Sequence, residues 1–291
     1  MGRGEMATAE EDLADELGLD VIARLHGGER GAVEVRASDG APLILKVFPL
    51  DEADGLARAL EVAARVRAGG VPVPDPYWMG TTSRRAYTLQ QRCDGAVPEV
   101  FEDAHAAQML HFWAAHHDAV PEGGDWPERA KRALLVGDIE LFAVHEPVRA
   151  AGGEAAALLG EIIDVGSSAD PSVLRRTDAM HRDWHHRNLL VRGETVTAVI
   201  DWEAARAGDA RLDLVLLTYW TGVYAGSGVS REAHERVSAF TAARVEPDAR
   251  RALAALVALH QLWFVSALRP ERLNETVTQV RRDLAPYWTR N

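Results

Sequence analysis

The pattern of apolar residues changes period once along this chain, near Cys93, and that one change dictates a sheet-bearing part followed by a helical part. Before it, residues 20–48 read DVIARLHGGERGAVEVRASDGAPLILKVF. These are β-favouring runs broken by Gly-Gly and Ser-Asp-Gly, which predict three short antiparallel strands turning at 26–31 and at Asp39-Gly40. Residues 51–68 then set Leu56, Leu60, Ala63, Ala64 and Val66 near helical spacing, with Gly69-Gly70 as the stop. The VPVPDP segment cannot continue that helix, because each proline lacks an amide donor and restricts the residue before it. Two further strands are predicted around 77–79 and 86–91. After the change, helical periodicity covers 101–118, 127–144, 153–165, 210–225, 230–245 and 247–268, interrupted at 189–203 by a hairpin turning at Arg192-Gly193-Glu194. The expectation is an α+β chain: a small antiparallel-sheet lobe with one helix over 1–93, and a larger, mainly helical lobe over 94–291.

At 291 residues the chain is long enough for two such lobes, each with its own core. No apolar run near the eighteen or so residues of a membrane span stands out, and the acidic N-terminus lacks the basic start of a secretory signal. A cytoplasmic protein, with no membrane partner, is expected. The single cysteine, Cys93, excludes an internal disulfide framework and an all-cysteine metal cage. A net charge of −12 disfavours nucleic acid and favours a cationic small-molecule partner. A monomer or homodimer is the expected assembly.

The stretch that carries chemistry is His181-Arg182-Asp183-Trp184-His185-His186-Arg187-Asn188, followed thirteen residues after the asparagine by Asp201 in VIDWE. Phosphoryl transfer asks a protein for an acceptor held in line, metal on the phosphates, and a group that receives the hydroxyl proton. Asp183 offers the proton acceptor; Asn188 and Asp201 offer hard oxygen ligands for magnesium, brought together by the hairpin between them. Lys46 lies inside the apolar strand LILKVF, where an unpartnered lysine is unusual, so a partner for its ammonium is implied.

This combination, H-x-D-x-x-x-x-N, a hairpin, I-D-W-E, then Gly208-Asp209 and Asp213-Leu214, resembles the aminoglycoside phosphotransferase and choline kinase-like family, distant relatives of protein kinases. The likeness runs from about Val21 to about Leu268. It implies a protein-kinase-like bilobal fold, ATP (with GTP as the alternative) and Mg2+, and a hydroxyl acceptor. It further implies that Asp183 is the catalytic base, Asn188 and Asp201 the metal ligands, and His181 a structural residue. Lys46 would hold the nucleotide phosphates and pair with a helix glutamate, for which Glu61 is the first candidate ahead of Glu52 and Glu34. Gly27, Gly28 and Gly31 resemble the loop above the nucleotide, and the backbone at Gln91 and Cys93 resembles the adenine-binding hinge.

The chain departs from the family at His186-Arg187, where small residues or Pro-Gly are usual. His185 either touches the transferred phosphate or packs, and a zinc site from His181, His185 and His186 is the less favoured reading. The histidines at 105, 111, 116 and 117 sit on a predicted helix where His111, Met109 and Trp113 cannot all face one ligand, and the stripe through Leu256, Leu259 and Leu262 reads as core. Glu203, Asp209, Tyr219, Trp220, Tyr224, Trp263 and Glu271 are offered as acceptor lining, an acidic and aromatic set suited to a cationic, ring-bearing molecule. The acceptor expected is therefore an antibiotic, an aminoglycoside or a basic peptide, although the ending APYWTRN lacks acidic groups to grip amines. An amino-sugar, choline or homoserine kinase is the alternative within the class, and a pseudokinase binding module the alternative outside it.

Overall fold

A computed structural model describes residues 8–25 and 31–288. Helix α1 (Ala9–Glu16) opens on a capping box in which Thr8 and Glu11 satisfy each other's backbone amides. It lies on a five-stranded antiparallel sheet of order β1-β2-β3-β5-β4, formed by β1 (Asp20–Leu25), β2 (Ala32–Arg36), β3 (Pro42–Pro49), β4 (Tyr77–Thr81) and β5 (Arg85–Gln91). The alternation of β3 divides its side chains between two faces. Leu43 and Leu45 pack with Leu13, Ala14, Val33, Val35 and Leu89 beneath α1, whereas Phe48 joins Leu56 and Ala86 on the opposite side. Lys46 shares the Phe48 parity and so points away from α1.

Helix α2 (Ala53–Ala68) buries Leu56, Ala59, Val62, Ala63 and Val66, and ends at Gly69-Gly70 as the sequence predicts. Its inner residues join the core of the helical lobe, so the two lobes share one continuous apolar cluster. That lobe contains α3 (Asp103–Trp113), α4 (Trp126–Val136), α5 (His145–Ala151), α6 (Gly153–Ser168), α7 (Arg211–Val223), α8 (Arg231–Arg244), α9 (Pro247–Leu268) and α10 (Leu273–Asp283). Two two-stranded ladders interrupt the helices: β6 (Asp178–Met180) with β9 (Arg206–Gly208), and the predicted hairpin β7 (Leu189–Arg192) with β8 (Thr195–Val199). This is the expected protein-kinase-like arrangement, a small antiparallel sheet with a helix joined to a larger helical lobe.

Three sequence expectations change. The helix expected over 127–144 stops at Val136, because Gly137 takes a positive φ of 89° and a short turn follows before α5. The β6–β9 ladder has three residues a side, too short for a period to register. The sequence also does hold one run apolar and long enough to cross a membrane: α9, 22 residues. Its apolarity has a use inside the protein, since most of its residues are buried against the helical core.

Candidate active site

The segment between β6 and β7 is held by a buried carboxylate on the first turn of α7. Asp213 accepts the backbone N–H of His181 at 2.8 Å and of Arg182 at 2.9 Å, and Arg182 takes a left-handed φ of 70° there. Such a conformation is strained for a non-glycine residue and persists only where bonds of this kind hold it. His181, fully buried, ties the loop to the end of β8: its Nε2 lies 2.9 Å from the Ile200 carbonyl, and its Nδ1 receives the Asp183 N–H at 3.2 Å. The structural role expected for His181 is the one its bonds describe.

Asp183 emerges from this frame with its side chain about half exposed. Asn188 Nδ2 donates to its Oδ2 at 2.8 Å and to its backbone carbonyl at 2.9 Å, and His185 Nε2 stands 3.1 Å from its Oδ1. Burial pushes the carboxyl pKa up, but His185, with His181 and the Asn188 amide, more than offsets this and holds it well below the usual range. Asp183 is therefore an ionised hydrogen-bond acceptor at neutral pH, fitted to orient a hydroxyl and to take its proton late in the reaction.

The hairpin does what its length predicts. The Ile200 N–H donates to the Asn188 carbonyl at 3.0 Å, extending the β7–β8 ladder and bringing Asn188 beside Asp201. Asp201 takes a φ of 66° and ion-pairs with Lys46 from the sheet lobe. Lys46, only 14% exposed at its side chain, also stands 2.8 Å from Glu203 Oε1. Burial lowers the lysine pKa, yet Glu203 and then Asp201 reverse this, so the net shift is upward and the ammonium stays charged. The Tyr77 phenol is buried beside Glu203 and is pushed up by burial first and that charge second. Asn188 and Asp201 carry side-chain oxygens of the type magnesium takes and could hold such an ion, which would draw charge from the phosphates.

The structure thus brings Lys46, Asp183, Asn188 and Asp201 together, and corrects several other expectations. Glu61 is exposed: it lies about half a turn around α2 from the buried Ala59 and Ala63, and the carboxylates at Lys46 are Asp201 and Glu203. Glu34 pairs with Arg92 instead. Glu203 consequently belongs to the Lys46 side rather than to the acceptor lining. Asp209 is fully buried against Arg211, Glu271 is exposed, and Tyr219 is 2% exposed with its hydroxyl toward Gln279 at 3.4 Å. Trp220, one residue on and about 100° around α7, does face the loop: its ring centroid is 5.9 Å from His185 and 5.9 Å from the stacked Tyr224 one turn later. Trp263 packs with Phe142 and His260 on a different wall.

Gly31 is exposed just before β2, while Gly27 and Gly28 lie outside the described residues. Gln91 ends β5 with its amide on the Pro76 carbonyl, and the Cys93 thiol stands 3.7 Å from the Gln91 carbonyl. His186 is buried between Phe101 and Tyr224, and His185 points its second nitrogen at the Arg187 amide; the three imidazoles of the loop do not converge as zinc ligands would. Sequence reasoning missed Tyr77, the pairing of Glu203 and the clamp that Asp213 places on the loop. Only the Asp213-Leu214 signature carried a signal for any of them.

No curated protein matches the chain. Solved structures do. A thermostable mutant of aminoglycoside phosphotransferase APH(4)-Ia in ternary complex with AMP-PNP and hygromycin B matches with a TM-score of 0.70 at 18% identity, covering 96% of this chain and 98% of that one. The amicoumacin kinase hAmiN in complex with AMP-PNP, Ca2+ and Ami matches at 0.61 and 11% identity, covering 94% of both chains. The macrolide 2'-phosphotransferase MphH from Brachybacterium faecium matches at 0.52 and 20% identity, covering 96% and 97%. The model of the phosphotransferase enzyme family, APH, matches residues 21–247 and so spans the sheet, the catalytic loop and the hairpin alike: the chain belongs to that family.

Proposed function

We propose that this phosphotransferase uses ATP and Mg2+ to phosphorylate a hydroxyl of a small, ring-bearing molecule. The observation that supports this most is the linked set Lys46–Asp201 and Asn188–Asp183, joined through the Ile200–Asn188 backbone bond. In this reading residues 1–93 hold the nucleotide, with the Gln91 and Cys93 backbone meeting the purine, and residues 94–291 carry the chemistry and the acceptor. Lys46 leaves its carboxylates for the phosphates, Asn188 and Asp201 hold the ion, and Asp183 orients the hydroxyl. Trp220 and Tyr224 with His185 offer an aromatic wall beside Asp183 for a ring. We place the protein in the cytoplasm.

Within this reading the acceptor is an antibiotic, supported by the solved structures, whose names include an aminoglycoside, a macrolide and an amicoumacin enzyme. A metabolic hydroxyl compound is the second reading. The engagement of Glu203 with Lys46 and of Asp209 with Arg211 favours it, because the acidic grip expected for a polycation is missing at those positions. Mass spectrometry on a panel of both kinds, with ATP and wild-type protein, tests the proposal: one acceptor gains a phosphate, and the gain disappears in Asp183→Ala. Equal, negligible ATP turnover in both proteins, with nucleotide still bound, would show a binding module instead.

A further inference from the structure

The wall of the cleft beyond Arg182 carries more positive charge than its carboxylates neutralise. Arg129 and Arg132 come from α4, Arg182 from the catalytic loop, and Arg206 from β9, which packs between α2 and α4. Two carboxylates pair with their guanidinium groups, and a third, Asp213, acts on Arg182 from the loop's backbone side. Asp138 accepts from Arg129 at 3.0 and 3.1 Å and from Arg132 at 2.6 Å, and Glu140 pairs with Arg129 at 2.8 Å. Arg182 reaches only neutral oxygens, the carbonyls of Glu140 at 3.1 Å and Ala204 at 3.5 Å, while its guanidinium lies 5.5 Å over the Phe142 ring. Arg206 makes no hydrogen bond or ion pair among the described residues, and its Nε, like that of Arg129, is buried without an acceptor.

A buried donor without a partner is destabilising, and like charges brought together add to that. The repulsion shows at Arg182, whose pKa falls to about 9, through burial first and then through Arg206 and Arg129. Such a surplus is against the trend of a chain whose net charge is −12. Arg206 is only partly buried and keeps some of its surface in water. An Arg206 guanidinium nitrogen stands 3.8 Å from where a Cβ would be built on Gly55 of α2, so the glycine lets the guanidinium sit close against the helix. Planar, forked guanidinium donors suit a planar or tetrahedral oxyanion, which can accept two bonds at once.

We propose that Arg206, backed by Arg129 and Arg182, binds an oxyanion, a carboxylate or phosphate group, at the cleft wall between α2 and α4. The group is either part of the acceptor or a free ion. The first source rests on the phosphotransfer reading; the site itself does not.

The test holds the nucleotide site saturated with AMP-PNP and Mg2+, and titrates inorganic phosphate against a chloride control of equal ionic strength. Wild-type protein gains thermal midpoint in a saturable way; Arg206→Gln requires at least tenfold more phosphate, with AMP-PNP affinity unchanged, and Arg206→Lys lies between. Equal response in wild type and Arg206→Gln, or none in wild type, overturns the site. A second arm assays phosphorylation of hydroxyl compounds in matched pairs that differ only by a carboxylate or phosphate. A KM at least tenfold lower for the anionic member, lost in Arg206→Gln, assigns the oxyanion to the acceptor. Equal KM values beside a normal phosphate titration assign it to a free ion. Absence of any ATP-dependent product removes the phosphotransfer reading and leaves the titration to stand or fall alone.

Discussion

Lys46 and Arg206 both project from strands into the space between the lobes, and both are largely withdrawn from water. Lys46 sits between two carboxylates, Asp201 and Glu203. Arg206 has none. A matched buried cation is a closed arrangement: its desolvation is offset by its partners, and a ligand that wants the ammonium must first compete with them. An unmatched one leaves its electrostatic stabilisation unmade until an anion arrives. In the proposed reaction the Lys46 side is a resting state that opens for nucleotide and metal, and the Arg206 side is a receptor waiting for charge.

The largest effect expected is on Asp183, the proposed catalytic base. Asp183→Ala lowers kcat by about 10^3 while the nucleotide dissociation constant stays within about twofold, because proton transfer and orientation are lost but not binding. A comparable loss of nucleotide binding would mean that Asp183 shapes the phosphate side as well. Next comes the clamp common to both sides. Asp213→Asn weakens two charge-assisted bonds to the His181 and Arg182 amides, and costs about 3 kcal/mol in urea unfolding. A change under about 0.5 kcal/mol would show that the loop is held by packing alone.

Acidification probes the arginine side. His260 packs against Phe142 and Trp263 near Arg182, and burial first and Arg182 second lower its pKa to about 4, with Asp183 acting in the other direction. Its folded pKa lies below the ordinary histidine value of about 6.5, so the stability it carries is whole above that value and is lost as pH falls toward 4. After allowance for solvent screening, His260→Gln removes about 1 kcal/mol of the loss between pH 7 and pH 5, or about 2 °C of thermal midpoint. Parallel pH curves for the two proteins would place His260 outside that balance. The smallest effect sharpens the Lys46 side: Glu203→Gln frees the ammonium from one competitor and tightens metal-free AMP-PNP binding about threefold by calorimetry. Weaker binding would make Glu203 a support for Lys46 instead of a rival to the phosphates.

The catalytic loop, its asparagine and the strand-ending aspartate were legible because a short hairpin links them, and chain geometry over thirteen residues is nearly local. Lys46 was legible because a charge in an apolar strand stands out. Its partner was not, since Glu61 fitted the helical pattern near Leu60 while the buried face runs through Ala59, Val62, Ala63 and Val66. Tyr219 failed for the same reason: one residue along α7 separates a ring that faces His185 from one that is buried toward α10. The turn after Gly137, which carries Glu140 and Phe142, broke a helix that periodicity ran straight through.

By itself the sequence determined the two-lobed division, the family and the residue types that could carry its chemistry, because those depend on pattern and short spacing. Which charges meet was decided only by the tertiary structure. Lys46 and Asp201 are 155 positions apart, and Arg206 meets its like-charged neighbours only through the packing of β9 against α2 and α4. Electrostatic balance is a property of neighbours in space, and residue spacing fixes those neighbours only where the chain is short enough to have few ways to bend.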